Sequence, residues 1–202
     1  MRITGGSHRG RPLVPWDASG IRPMRDFVRS ALYNILGDLV RDARFLDLFC
    51  GTGSVGLDAL SRGAAGCVFV DLSEDACGIV RRNLDQFDFL DRAEVVSRDF
   101  TEAIDHLERR GHVFDLVFAG PPYGRGLAPA ALRRLGDSRL IAADGMVITE
   151  VFRKEQLDSS YGRLSRIRER AYGDNALWFY AADPEAESPG EPGNRTKEAN
   201  LG

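Results

Sequence analysis

The chain contains few of the residues that build metal sites or disulfide frameworks. Its 202 residues include only three cysteines, Cys50, Cys67 and Cys77, and no two of them form a CxxC pair. The three histidines show no ligand spacing with these cysteines, so we expect no metal site. Cysteines without a pairing framework are typical of a reducing compartment, and we therefore expect a cytoplasmic protein.

Long apolar runs are absent as well. No segment approaches the ~18 consecutive apolar residues that a membrane-spanning helix needs, and residues 1–11 carry charges with no apolar stretch after them. We therefore expect neither a membrane span nor a secretory signal. Apolar residues make up 43% and charged residues 28% of the chain, an ordinary globular composition at a length that favours one domain.

An overall positive charge is also missing, which taken alone argues against a nucleic-acid binder. The net charge is -3, but residues 1–30 carry six arginines and two acids, whereas residues 183–202 carry five acids and two bases. A basic end on a mildly acidic body predicts a phosphate-binding surface; the alternative is that the arginines only solvate an N-terminal arm. The expected phosphate contacts are Arg2, Arg9, Arg11, Arg22 and Arg25.

The N-terminal segment predicts an arm that is added to a core. The first residues indicate a β-hairpin or arm, and Pro23 opens a helix with apolar residues at spacings of three and four. We expect a single domain over 1–182, composed of the basic arm and helix (1–40) and a core (41–182). Residues 183–202 are rich in Pro, Gly and charge, which predicts a disordered tail.

Strand and helix patterns alternate after residue 44. Strands are expected at 45–49, 67–70, 94–97, 114–119 and 146–151, with helices between them. Residues 163–172 and 176–181 follow as two strands joined by a tight turn, so they pair antiparallel. Alternation predicts a parallel sheet covered on both faces, and the final hairpin gives the seven-stranded, mostly parallel α/β sheet of a Rossmann-like class I methyltransferase, here with an N-terminal hairpin and helix extension.

A glycine-rich loop follows the first strand. Gly51, Gly53 and Gly56 satisfy GxGxxG, and Asp71 lies twenty residues beyond Gly51 at the end of the second strand. Glycines allow the backbone to approach a ligand, and the carboxylate of Asp71 suits ribose hydroxyls. Dinucleotide enzymes and S-adenosylmethionine enzymes share this pattern.

Two further acids favour S-adenosylmethionine. Asp47 precedes the first glycine by four residues, where it suits a cationic amino acid end and would oppose a pyrophosphate. Asp99 ends the third strand and suits an adenine amine, with Phe100 beside it as a further cofactor contact; the alternative for Asp99 and Asp71 is a helix cap or solvated turn. Cys50 within the loop is either a nucleophile or, as we favour, a small packing residue.

The fourth strand ends in Gly120-Pro121-Pro122-Tyr123. A Pro-Pro pair fixes the backbone so that carbonyls point into a cleft, and Tyr123 suits stacking on a flipped-out base. An exocyclic base amine is a poor nucleophile, so acceptors on its N–H groups and close positioning would supply the catalysis. The alternative is a plain polyproline turn. The candidate catalytic residues are therefore Gly120, Pro121, Pro122 and Tyr123.

Several segments together resemble a known family. The segments are RITGG with RGR in the arm, Arg22-Pro23 before the helix, LDLFCGTGSVGLDALSRGA over 46–64, and PPY. They resemble the RsmD-type enzymes, bacterial 16S ribosomal RNA guanine-N2 methyltransferases. The resemblance covers residues 1–182 and implies methyl transfer from S-adenosylmethionine to a guanine N2 amine in small-subunit rRNA. It places Asp47, Gly51, Gly53, Asp71 and Asp99 at the cofactor and PPY at the amine, in an enzyme that we expect to be monomeric.

One residue departs from the family pattern. Gly120 stands where the family has Asp, or Asn or Ser in relatives, so one of two acceptors for the amine is missing. Losing one oriented acceptor costs ~100–1000-fold in rate. Either another group substitutes, or the enzyme is slow but sufficient, or the chain is an inactive RNA-binding assembly factor. An adenine-N6 nucleic-acid enzyme and a small-molecule enzyme also remain open, and an NAD-dependent dehydrogenase is the most distant alternative.

Overall fold

A computed structural model describes residues 1–16 and 24–183 of the chain. Arg22 and Pro23, and the predicted tail beyond Asp183, lie outside the described residues. The described helices are α1 (Asp26–Leu36), α2 (Ser54–Ser61), α3 (Glu74–Gln86), α4 (Phe100–Arg109) and α5 (Leu127–Gly136). None of these helices, within the ranges that the structure describes, is long and apolar enough to cross a membrane.

A single mixed sheet forms the centre of the molecule. Its strands are β1 (Arg44–Leu48), β2 (Gly66–Asp71), β3 (Ala93–Ser97), β4 (Phe114–Ala119), β5 (Ile141–Phe152), β6 (Ser160–Tyr161), β7 (Leu164–Tyr172) and β8 (Asn175–Ala182). Their order across the sheet is β3-β2-β1-β4-β5-β8-β7-β6. Strands β1 to β5 are parallel, and β8 is antiparallel to both β5 and β7. The predicted Rossmann-like layout with a C-terminal antiparallel hairpin is therefore confirmed.

Two details of the sheet differ from the prediction. Over residues 1–16 and 24–183 it has eight strands rather than seven, because Ser160–Tyr161 pairs with the start of β7, and a two-residue strand is too short to show a period. β5 begins at Ile141 instead of 146. Residues 142–145 also belong to this strand, which passes through a register shift against β4 between Phe114 and Leu116.

Helices cover both faces of the sheet and enclose two apolar clusters. One cluster joins α1, α2 and α3 to side chains such as Phe45, Phe69 and Phe118. The other joins α4 and α5 to side chains such as Leu46 and Val117 on the opposite face. Successive residues of one strand thus belong to different clusters, because the side chains of a strand point alternately to the two faces of the sheet.

The N-terminal arm folds back on itself, as predicted. Arg2 forms an isolated antiparallel bridge with Pro12, and Gly6–His8 forms a 3-10 turn between them. Gly6 has φ +75°, and a Cβ there would meet the Ser61 carbonyl of α2, so the arm approaches α2 through a position that only glycine fits. Within the described residues α1 begins at Asp26, and the backbone of Arg25 before it is extended; the predicted helix start at Pro23 lies outside the described residues.

A buried ion pair fastens the arm to the core. The Arg29 side chain is fully buried, although the sequence suggested a surface charge, and its Nε donates to Asp58 Oδ2 of α2 at 2.5 Å. Asp58 also accepts from the backbone N–H and the hydroxyl of Thr4, both at 2.7 Å. Arg29 Nη2 donates to the Arg2 carbonyl at 2.6 Å. One arginine and one aspartate therefore fix the arm against α1 and α2.

Candidate active site

A cleft of about 560 Å³ opens at the carboxyl ends of the parallel strands. Open α/β sheets bind ligands at this edge because the loops after successive strands converge there. The cleft brings together most of the residues singled out in the sequence: Asp47, Gly51, Asp71, Asp99, Phe100, Gly120, Pro121, Pro122 and Tyr123. Of the described candidates, Gly53, Arg2, Arg9, Arg11 and Arg25 do not line it.

The glycine loop is built around Asp71. Gly51 N–H donates to Asp71 Oδ2 at 2.8 Å, and Ser73 N–H donates to Oδ1 at 2.9 Å. Gly53 has φ +73° and precedes α2; a Cβ there would lie 2.9 Å from Val80 Cγ2. The carboxylate of Asp71 thus holds the loop in place while both of its oxygens keep acceptor capacity for a ligand.

Asp47 is a buried acid at the base of the cleft. Its Oδ2 accepts from the Gly56 N–H at 2.8 Å. Burial raises the pKa of the Asp47 carboxyl to about 7, the Gly56 N–H opposes this rise, and the negative charge of Asp71 adds to it. This acid therefore titrates near neutral pH and has a reason to favour a cationic ligand.

Asp99 lines the cleft and also caps a helix, which was the alternative weighed for it. Its Oδ1 accepts from the backbone N–H of Thr101 at 2.9 Å and from its hydroxyl at 2.6 Å, at the start of α4. Phe100 follows in the cleft wall, with its ring centroid 5.2 Å from that of Phe49. Phe49 has φ +68°, which is an unusual backbone conformation for an aromatic residue. Such strained conformations occur most often at functional sites.

Cys50 lines the cleft as a buried thiol. Burial raises the pKa of the Cys50 thiol well above its usual value, and the nearby charges of Asp47 and Asp71 add to the rise. A thiol that stays protonated at neutral pH is a poor nucleophile. The structure therefore favours the packing role expected for Cys50.

The segment after β4 presents a backbone turn without a side chain at its first position. Gly120 N–H donates to the Leu48 carbonyl at 3.2 Å. A Cβ at Gly120 would lie 2.7 Å from Cε1 of Phe118, so the ring of Phe118 occupies the space that a longer residue would need. Pro121 is buried, Pro122 is exposed and Tyr123 is half-buried at the cleft.

Three further residues surround Tyr123. Its ring centroid lies 4.3 Å from that of Phe152, at an interplanar angle of 41°. The Asn175 amide donates to the Tyr123 hydroxyl at 3.0 Å and to Glu150 Oε1 at 2.8 Å, and the Tyr123 hydroxyl also hydrogen-bonds Glu150. Sequence reasoning missed all three; the only signal was a glutamate inside the apolar run of the fifth strand.

The arginines of the arm have different surroundings. Arg9 is exposed, and the exposed Arg2 lies 3.7 Å from Asp26. Arg11 donates to the Gln86 carbonyl at 3.0 Å and sits 4.9 Å from the Phe87 ring centroid. Arg25 donates to the Tyr172 carbonyl at 3.4 Å. Arg22 lies outside the described residues. Arg98 and Arg125, which the sequence reading did not single out, line the cleft itself.

Known proteins with similar sequences and structures point in one direction. Ribosomal RNA small subunit methyltransferase D of Escherichia coli K12 is 33% identical over 188 residues, which are 93% of either chain. A solved Escherichia coli structure, yhhF, described as a methyltransferase, matches with a TM-score of 0.79 and 31% identity, covering 91% of this chain and 98% of that one. A hypothetical protein of Thermus thermophilus matches with a TM-score of 0.76 and 31% identity, covering 89% and 98%.

The fold, the glycine loop with its strand-end acids and these relatives define an S-adenosylmethionine-dependent methyltransferase of the Rossmann-like class. Within this class, the chain belongs to the family described as Conserved hypothetical protein 95, whose sequence profile matches residues 1–181. The RsmD-type resemblance is therefore confirmed.

Proposed function

We propose that this methyltransferase modifies the N2 amine of a guanine in small-subunit (16S) ribosomal RNA, and that it acts in the cytoplasm as a monomer. The observation that carries the proposal is the common cleft, in which the glycine loop and its acids face the PPY segment. The relatives named for small-subunit rRNA support the substrate. Residues 1–182 would act as one unit, with the arm of residues 1–40 contacting RNA.

The residues of the first three strand ends fit S-adenosylmethionine. Asp71 would accept the ribose hydroxyls, Asp99 the adenine amine with Phe100 against the ring, and Gly51 and Gly53 would let the backbone approach the ligand. Asp47 would favour the cationic amino group, directly or through water. When bound, the cofactor supplies an electrophilic methyl group on a sulfonium.

The residues after β4 would hold the target base. Tyr123, supported by Phe152, would stack on the flipped-out guanine, and Pro121 would offer its carbonyl to the amine. Pro122 would stiffen the turn, and Gly120 would let it pass close to Phe118. Positioning and oriented acceptors then supply the rate enhancement, because the amine needs its lone pair directed at the methyl group.

The titration of Asp47 leads to a pH-dependent affinity for S-adenosylmethionine. The carboxyl is protonated below its pKa of about 7, whereas a cationic ligand favours the ionised form. The affinity for S-adenosylmethionine is therefore highest above pH 7 and falls as the pH drops through 7. Below pH 7 the increase in Kd approaches ~tenfold per pH unit. Calorimetry at about pH 6 in buffers of different ionisation enthalpy should detect release of nearly one proton per site. An Asp47→Asn variant that keeps the same proton release would contradict this role.

The arm leads to a prediction about salt. Neutralised phosphates release counterions, so replacing a contacting arginine flattens the dependence of log K on log salt by ~0.7–0.9. We expect Arg9→Gln to weaken RNA binding and to show this change of slope. Arg41→Gln, before β1 and away from the cleft edge, is the matched control and should leave the slope unchanged. Equal slopes for both variants would place the RNA elsewhere.

Methyl transfer tests the proposal directly. Purified protein would be incubated with tritiated S-adenosylmethionine and small ribosomal subunits that lack the modification. We expect label in the 16S RNA. Binding of cofactor and RNA without transfer would favour the inactive assembly factor, for which Gly120 is the supporting observation.

A further inference from the structure

Glu150 is a buried acid beside the position where an acceptor is missing. Strands β4 and β5 are parallel, with Phe118 beside Ile148 and Ala119 beside Thr149. The next positions along the two chains are Gly120 and Glu150. Laterally paired residues point to the same face of a sheet, and Phe118 and Ile148 indeed share one apolar cluster. The side chain of Glu150 therefore lies on the face toward which a side chain at position 120 would point.

The surroundings of Glu150 are unusual for a carboxylate. The residue is 4% exposed and lines the cleft, and in the described ranges no basic nitrogen lies within 4.0 Å of it. Burial raises the pKa of the Glu150 carboxyl, while hydrogen bonds from Asn175 and Tyr123 and the charge of Arg25 lower it. A buried carboxylate without a salt bridge is costly to keep, so this one needs a reason beyond packing.

The space around position 120 is too small for an acceptor side chain on that residue. The Phe118 ring fills the space next to the Gly120 Cα, and a Cβ at this position would lie only 2.7 Å from its Cε1 atom. A second acceptor, beside the Pro121 carbonyl, is available on the neighbouring strand, where Glu150 is held by two hydrogen-bond donors.

We propose that Glu150 replaces the missing acceptor and reads the target guanine through its N1–H and N2–H groups; this rests on the proposed function. The two oxygens of a carboxylate match these two adjacent donors. Adenine offers one donor and one acceptor on the same edge, so the carboxylate opposes its N1 lone pair. Specificity for guanine over adenine therefore follows from the repulsion of adenine N1 as much as from the hydrogen bonds to guanine N1–H and N2–H.

With Glu150 as the acceptor for the amine, the bonds, electrons and proton of the methyl transfer are all accounted for. The N2 lone pair forms the new N–C bond as the methyl C–S bond breaks, and the bonding pair stays on sulfur as a neutral thioether. The proton that the amine loses passes to the Glu150 carboxylate and then to solvent. Tyr123 and Asn175 keep the carboxylate oriented throughout.

The test compares methyl transfer by wild-type protein with that by Glu150→Gln. We expect the rate to fall by ~100–1000-fold, the loss typical of one oriented group, with S-adenosylmethionine affinity and melting temperature unchanged. Glu169→Gln, on the exposed part of β7, is the matched control and should transfer at the wild-type rate. Full activity of Glu150→Gln would overturn the inference while leaving the proposed function intact, whereas inactive wild-type protein would overturn both.

Two further variants separate direct contact from a structural role. If Glu150 only holds the Tyr123 hydroxyl, Tyr123→Phe must lose as much rate as Glu150→Gln; we expect a smaller loss, because Asn175 still orients the Glu150 carboxylate in this variant. Gly120→Asp should lower the rate, because its Cβ displaces Phe118 and its charge opposes Glu150. A faster Gly120→Asp enzyme would show that the acceptor is still missing in the wild type, and would overturn the proposal.

Discussion

Arg29→Met will lower the free energy of unfolding by about 3–5 kcal/mol, the usual cost of removing one partner of a buried ion pair. The pair is fully buried, and the Arg29–Asp58 contact measures 2.5 Å. The variant leaves the Asp58 carboxylate without a cation in the core, and it frees the Arg2 carbonyl that Arg29 binds. Chemical denaturation monitored by circular dichroism measures the loss.

The matched control is Arg9→Met, the same change at an exposed position of the same arm. Exposed substitutions stay within ~0.5 kcal/mol, so this variant should unfold as the wild type does. Adding Asp58→Asn to Arg29→Met removes the unpaired charge and should recover part of the loss. Equal stability of Arg29→Met and Arg9→Met would show that the ion pair does not fasten the arm.

Asp71→Ala will weaken S-adenosylmethionine binding by ~100-fold or more. Hydrogen bonds to charged groups contribute ~1.5–3 kcal/mol each, and the carboxylate would hold two ribose hydroxyls while it anchors Gly51 and Ser73 in the loop. The variant loses both the ligand contacts and the support of the glycine loop. Isothermal titration calorimetry with S-adenosylmethionine measures the change in Kd.

Asp75→Ala provides the comparison, since it removes an exposed carboxylate from the first turn of α3, four residues away. Its Kd should equal that of the wild type. If Asp71→Ala also bound with wild-type affinity, the ribose would have to lie elsewhere in the cleft, and Asp71 would not be the residue that holds it.

The cleft could be assembled from the sequence because its parts follow the ends of parallel strands. Asp47, Asp71 and Asp99 were separate signals in the chain, and a parallel sheet carries the ends of its strands to one edge. Strand bounds in the core were recovered within about a residue wherever periodicity was strong. The exceptions were β6, which is too short to show a period, and the start of β5, which lies at Ile141 instead of 146.

The residues that the sequence did not reveal depend on partners far away in the chain. Arg29 lies beside the buried stripe of α1, and only the fold brings it to Asp58, 29 residues later. Glu150 sits in an apolar run, and only the register of β4 and β5, which places Ala119 beside Thr149, brings it into the same cleft as Gly120. Charge alone indicated a surface role for Arg29 and gave no role to Glu150, because burial and pairing are tertiary properties.

The identity of the methylated nucleoside tests the central claim most directly. Small-subunit RNA labelled by the wild-type protein with tritiated S-adenosylmethionine would be digested to nucleosides and separated by chromatography. The account predicts that the label elutes as N2-methylguanosine. Label in N6-methyladenosine would contradict the guanine assignment, and RNA that stays unlabelled while the protein binds both cofactor and subunit would contradict the enzyme itself.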